Sequence, residues 1–205
     1  MEPNFAAALK LIDEAHAEDP NATPSTDGSS TIPYELHYAT KMTQWLQKRC
    51  PNASPALRLA CRAQHFRRWE IPRSSYPMTR VGYLTWRAKQ KSQAAARVAD
   101  LLASPEVTPP IPEEVIKRTA SLIRKENLGS TDDDDETQVL EDVACLVFLD
   151  DQLDGFERRP EIDEEKMISI LRKTWGKMSS RGQELALGMQ LSDRGAALVK
   201  KALKD

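Results

Sequence analysis

The segment 62–91, RAQHFRRWEIPRSSYPMTRVGYLTWRAKQK, sets the cations Arg62, Arg67, Arg68, Arg73, Arg80, Arg87, Lys89 and Lys91 against a single acid, Glu70. Trp69, Tyr76, Tyr83 and Trp86 are interleaved with them. Guanidinium groups meet phosphate oxygens through paired donors, and flat, partly polar rings offer surfaces for stacking, so this segment reads as a site for a phosphate-bearing ligand. In the stretch EIPRSSYP, Arg73, Ser74, Ser75 and Tyr76 can donate to phosphate oxygens, with bidentate contacts from Arg67 or Arg68 and a further cation in Arg87. Neither a Walker-type glycine loop nor the glycine fingerprint of dinucleotide binding is present. The residues therefore indicate a class of ligand and not a named reaction.

Two side chains stand out as groups that could move a proton. His65 lies beside Arg62, Arg67 and Arg68, whose charge opposes another positive charge and keeps the imidazole neutral, fit to ligate or to act as a general base. Asp142 belongs to the most apolar stretch of the chain, LEDVACLVFLDDQL (140–153), and shares a helix face with Cys145, Leu146, Leu149 and Leu153. A carboxylate there must be paired, cap a helix or ligate. Its position suggests the first turn of a helix, where free amides and the dipole favour Glu141 and Asp142. The functional reading is a carboxylate that reaches a polar pocket, and His65, Asp142 and Glu70 are the catalytic candidates. Cys61 shares a helix face with His65, but its apolar setting raises the thiol pKa and argues against a nucleophile.

The rest of the chain must hold these groups in place. Its 205 residues can bury a sizeable core as one domain. An apolar fraction of 40%, a charged fraction of 29%, a net charge of -2 and a pI near 6.0 give no whole-molecule field for DNA or a membrane surface. Any phosphate or RNA site must be local. Cys50, Cys61 and Cys145 are odd in number and widely spaced, which suits a reducing compartment, cytoplasmic or nuclear, better than a disulfide scaffold or a zinc site. The charged N-terminal stretch does not suit a signal or transit peptide, and no run approaches the roughly 18 apolar residues of a membrane span.

The periodicity predicts helices throughout and no strand. The first covers residues 4–16, with Phe5, Leu9, Ile12 and His16 at helical spacing, and Asp19-Pro20 stops it. A flexible polar loop follows at 21–31. A second helix runs from Pro33 to Cys50, with His37 beside its main apolar stripe. Ser54-Pro55 opens a third, which continues to Pro72 and presents residues 65–70 at its end. A loop at 72–77 leads to a long helix over 79–103. Pro112-Glu113-Glu114 opens the fifth helix, an acidic loop spans 129–136, and the apolar helix of Asp142 sits at the centre. Helices at 163–177 and 192–204, with a shorter one between, complete a single all-α domain, a helical bundle spanning residues 1–205.

The segments AEDPN (17–21), LRLACRAQHFRRWEIPRSSYP (57–77), GYLTWR (82–87), LIRKENL (122–128), LEDVACLVFL (140–149) and ILRKTWGKMSSRG (170–182) strongly resemble the family called domain of unknown function 4202. The resemblance spans nearly the whole chain. It implies that these blocks line one site, built from Gln64, His65, Arg67, Arg68, Trp69, Glu70, Arg73, Tyr76, Tyr83, Arg87, Lys125, Glu126, Glu141 and Asp142. It implies no substrate. The order His37, His65, Asp142 on three different helices is also similar to the HD-type metal phosphohydrolases. On that resemblance the bundle is HD-like, and those three residues hold a divalent metal ion. Phe66 stands where that superfamily has the aspartate of its His-Asp pair, and Glu70 points roughly 140° away from His65 around a helix. The expected function is binding of a phosphorylated small molecule or nucleotide, with metal-assisted hydrolysis as the reaction if the chain is an enzyme. The alternative is a non-catalytic helical module that binds RNA or a protein partner.

Overall fold

Hydroxyl and carboxylate side chains ahead of the apolar runs start five of the helices. Ser54 accepts the amide of Leu57 at 3.1 Å, Thr79 that of Gly82 at 3.1 Å, Asp163 that of Lys166 at 2.8 Å, Ser179 that of Gly182 at 3.2 Å and Ser192 that of Gly195 at 3.0 Å. Each bond satisfies an amide that the helix leaves open at its first turn. The structure, a computed structural model, describes residues 2–25, 29–126, 135–157 and 162–204. Among them are ten α-helices: α1 (Pro3–His16), α2 (Tyr34–Arg49), α3 (Pro55–Arg62), α4 (Arg80–Leu102), α5 (Glu113–Arg124), α6 (Asp135–Val147), α7 (Leu153–Glu157), α8 (Glu164–Trp175), α9 (Ser180–Leu187) and α10 (Asp193–Ala202). The protein is all-α. Of the acidic loop expected at 129–136, residues 129–134 lie outside the described residues, and α6 already begins at Asp135.

Three features depart from the sequence reading. Where a flexible loop was expected, β1 (Ala22–Pro24) and β2 (Thr31–Pro33) pair antiparallel, Thr23 opposite Ile32, and frame the entry to α2; residues 26–28 lie outside the description. Second, α3 ends at Arg62, far short of Pro72. Third, α6 gives way at Phe148–Gln152 to a single π-helical turn that continues into α7. A π turn inserts one extra residue into the helix, rotates the side chains after it and often accompanies a functional site.

The core runs through the whole bundle. Met42 of α2, Leu57 and Leu59 of α3, Val98 and Leu102 of α4, Leu122 of α5 and Leu140, Val143 and Leu146 of α6 are at most 1% exposed. α2 packs on α3 and α6, α5 packs on α3 and α4, and α8 packs on α10 at the C-terminal end. No helix among the described residues is long and apolar enough to cross a membrane.

Candidate functional site

Glu35, in the first turn of α2, is only 2% exposed, yet it carries a carboxylate. Its oxygens accept the successive backbone amides of Arg67 (2.8 Å), Arg68 (2.5 Å) and Trp69 (3.4 Å). His16 adds Nδ1 at 3.1 Å, while its Nε2 donates to the carbonyl of Arg62 at 3.0 Å. Three converging amides require the backbone after α3 to curl around the carboxylate instead of continuing as a helix. It does so through two left-handed residues, His65 (φ 64°) and Arg67 (φ 50°), before a 3₁₀ turn at Arg68–Glu70. Such conformations cost on the order of 1–3 kcal/mol each in non-glycine residues and persist where surrounding contacts over-determine them. The curl turns His65, Arg68 and Trp69 towards a cavity of about 650 Å³. Residues before and at the start of α2, residues 65–73, α4, the π turn and α7 wall it.

The charge on that wall is unevenly compensated. Each of its carboxylates is engaged by protein donors. Asp19 takes the amide of Glu35 at 3.0 Å and both donors of Asn21, and Asp151 meets His37 Nε2 at 2.5 Å. The guanidinium of Arg68 has no carboxylate partner among the described residues. It donates to His65 Nε2 at 2.9 Å and lies 5.0 Å from the centre of the Trp86 ring. Burial and the nearby charge of Arg87 both push the pKa of Arg68 down. Burial, then Lys125 and Arg87, lower that of Lys91 as well. Arg68 thus stands on the wall as a cation opposed by Arg87, which acts on Lys91 as well, although neither Arg87 nor Lys91 lines the cavity.

The π turn builds the opposite wall and ties it to α2. Asp150 accepts Lys41 Nζ and Trp45 Nε1, each at 3.0 Å, Asp151 meets His37, and Gln152 donates to the Tyr34 hydroxyl. The family model described as Domain of unknown function (DUF4202) matches residues 6–199. The chain belongs to that family. No curated protein and no solved structure matches it. As a DUF4202 chain, it carries the block LRLACRAQHFRRWEIPRSSYP at the segment that Glu35 curls into the cavity, so the most distinctive part of the sequence is also the most distinctive part of the backbone.

The structure brings some of the expected residues together. His65, Arg68, Trp69 and Arg73 line the cavity, and Arg87 stands close enough to Arg68 and His65 to act on both. The guanidinium of Arg73 is turned to the carbonyls of Tyr76 (2.9 Å) and Pro77 (2.8 Å), so it staples its own loop. Arg67 is paired with Glu18 and Glu70, and Glu70 also pairs with Arg97, outside the cavity wall. Gln64 donates to the carbonyl of Ala60, and Tyr83, 47% exposed, leans on Trp86. Lys125 and Glu141 form a buried pair, and Glu126 binds Arg124.

Asp142 does not sit in a first turn, nor does it face the cavity. It lies well inside α6, fully buried, and accepts Arg49 Nε at 2.8 Å, Gln138 at 2.9 Å and the amide and hydroxyl of Ser179 at 2.8 and 2.5 Å. Its carboxylate therefore holds the start of α9 against α2 and α6. His37, bound to Asp151, and His65, bound to Arg68, do not converge with it. Among the described residues no three His, Cys, Asp or Glu side chains are grouped to hold a metal ion. Burial pushes the Cys61 thiol far up, as its apolar setting predicted. Sequence reasoning missed Glu35, Asp19, Gln90 and Asp151. Glu35 looked like any acid near a helix start, and only its burial marks it.

Burial, reinforced by Arg68 and Arg87 and to a smaller degree by Lys125 and His16, holds the pKa of His65 well below its ordinary value of 6.5. Its ring also stacks on Tyr38 at 4.0 Å and 12°. The folded protein keeps this ring neutral at a pH where the unfolded chain protonates it. Stability should therefore fall as the pH drops below about 6.5, by up to about 1.4 kcal/mol per pH unit from this group. His65→Asn keeps a residue that tolerates positive φ and removes the titration. The expected result is a shallower fall of Tm between pH 6.5 and 5 in the variant; equal slopes would mean that His65 is not the buried neutral base described.

Proposed function

We propose that the cavity binds a phosphorylated small molecule of the nucleotide class, with Arg68 as the principal phosphate contact and Arg87 adding to the field. The observation that carries this reading is a largely buried guanidinium on a cavity wall with no carboxylate partner among the described residues, beside wall carboxylates that are all engaged. A buried cation left in this state is stabilised by an incoming anion. Tyr34, Trp69, Trp86, Phe148 and Phe156 supply flat apolar surface for the organic part of such a ligand. His37, His65 and Asp142 do not assemble a ligand set, so the reading is of a binding site and assigns no metal-assisted step.

A surface module for RNA or a protein is the rival. Met78 (81% exposed), Val81 (73%) and Leu84 (56%) form an open apolar row flanked by exposed Arg80 and Lys89. Calorimetric titration with adenosine 5′-monophosphate, adenosine and single-stranded oligoribonucleotide separates the two. The expected result is one site for the monophosphate, no detectable binding of adenosine, and a shallow salt dependence. Oligoribonucleotide binding that weakens steeply with salt, with no monophosphate site, would replace the cavity reading by the surface one.

A further inference from the structure

Three buried side-chain polar atoms lack a hydrogen-bond partner among the described residues: His65 Nδ1, Trp69 Nε1 and Gln90 Oε1. All three belong to residues on the wall of this one cavity. Buried polar atoms are rarely left unpaired, and their grouping at one place calls for a ligand. Their polarity is fixed by their neighbours. Indole nitrogen only donates. His65 Nε2 receives an N–H from Arg68, so the ring hydrogen sits on Nδ1, which donates. Gln90 is 7% exposed, and its Nε2 lies 3.4 Å from the Ile71 carbonyl, which also receives Trp86 Nε1 at 2.8 Å. A carbonyl can only accept, so the amide nitrogen must be on that side, and Oε1 is the end left over.

From this pattern of two donors and one acceptor we infer that Gln90 selects ligands whose organic half presents an N–H or O–H. The inference rests on the phosphate-binding reading and specifies what else the ligand must carry. A phosphomonoester at neutral pH offers mainly acceptor oxygens, which satisfy Arg68 and the N–H groups of His65 and Trp69 but not Gln90 Oε1. The missing hydrogen comes from the organic half: a base amino group or a sugar hydroxyl. Gln90 and Trp86, four residues apart on the same face of α4, then act together, Trp86 holding the Ile71 carbonyl that orients the Gln90 amide.

The test titrates the full-length protein with adenosine 5′-monophosphate, adenosine, purine riboside 5′-monophosphate (no amino group), 2′,3′-dideoxyadenosine 5′-monophosphate (no sugar hydroxyls) and ribose 5-phosphate. In the wild type, loss of the group that faces Gln90 should weaken binding on the order of 10-fold or more, because it leaves the buried oxygen unpaired. The two nucleotide analogues tell an amino group from a hydroxyl. Gln90→Met, close in volume, should erase that discrimination, while the advantage of the monophosphate over adenosine persists. Equal affinity of all three nucleotides for the wild type, or discrimination that survives Gln90→Met, overturns the assignment of Gln90 and leaves the phosphate site standing. If no phosphate compound in the panel binds, both readings fall together.

Discussion

Arg68→Met is expected to weaken binding of a nucleotide monophosphate by roughly 30- to 150-fold, equivalent to about 2–3 kcal/mol, without the stability loss that removing a buried ion pair brings. The two halves of that expectation have one cause. Among the described residues Arg68 has no carboxylate to leave behind and its guanidinium donates to the neutral ring of His65, while Arg87 opposes its charge. Removing it relieves repulsion and desolvation while giving up one bond to imidazole and the contact with Trp86. Tm should therefore stay close to the wild-type value or rise, the pattern of a residue kept for function at the expense of stability. Arg68→Lys retains the charge but loses the planar fork, so it should recover only part of the affinity. Arg73→Met serves as the contrast. Its donors are committed to the carbonyls of Tyr76 and Pro77, so it should loosen the loop and change affinity less. A Tm drop for Arg68→Met of the size seen on breaking a buried salt bridge, or unchanged affinity, would show that Arg68 is a structural cation.

How much of this was legible in the sequence follows the range of the forces involved. Ser54-Pro55, Thr79, Ser179 and Ser192 act on amides three residues away, and the helices they start lie close to where the pattern predicts them. The basic and aromatic character of residues 62–91 was equally visible, and it drew attention to His65, Arg68 and Trp69, which line the cavity. Which cations remain unpaired was not visible. Arg67 and Arg68 are adjacent and chemically identical, yet one is closed off by Glu18 and Glu70 while the other is not. Asp142 was rightly marked as a buried carboxylate in need of partners, but the partners, Arg49 and Ser179, come from elements 93 and 37 residues away. The π turn is hidden for the same reason: Asp150, Asp151 and Gln152 find their bonds on α2. The end of α3 shows the limit most clearly. Residues 63–70 carry no proline or glycine, so local propensity continues the helix, and a carboxylate 32 residues earlier overrides it.

Glu35→Ala should accordingly be the most damaging single change near the cavity. It leaves the amides of Arg67, Arg68 and Trp69 and one nitrogen of His16 without an acceptor in the interior, and it removes the contact that offsets two left-handed residues. The expected loss is about 3–5 kcal/mol, the scale for breaking a buried charged network. That corresponds to a fall in Tm on the order of 10 °C for a domain of this length. Glu35→Gln keeps the shape and one carbonyl oxygen but turns an NH₂ towards other donors, so it should fall between Ala and the wild type. Hydrogen exchange locates the effect. The amides of residues 67–69 should be protected in the wild type and lose protection in both variants, while the amides of α6 exchange only as global stability dictates. Nucleotide affinity must fall with that protection, because the same carboxylate curls the backbone that aims His65, Arg68 and Trp69. If those amides lost protection and affinity survived, the ligand would have to bind somewhere other than the surface that Glu35 shapes.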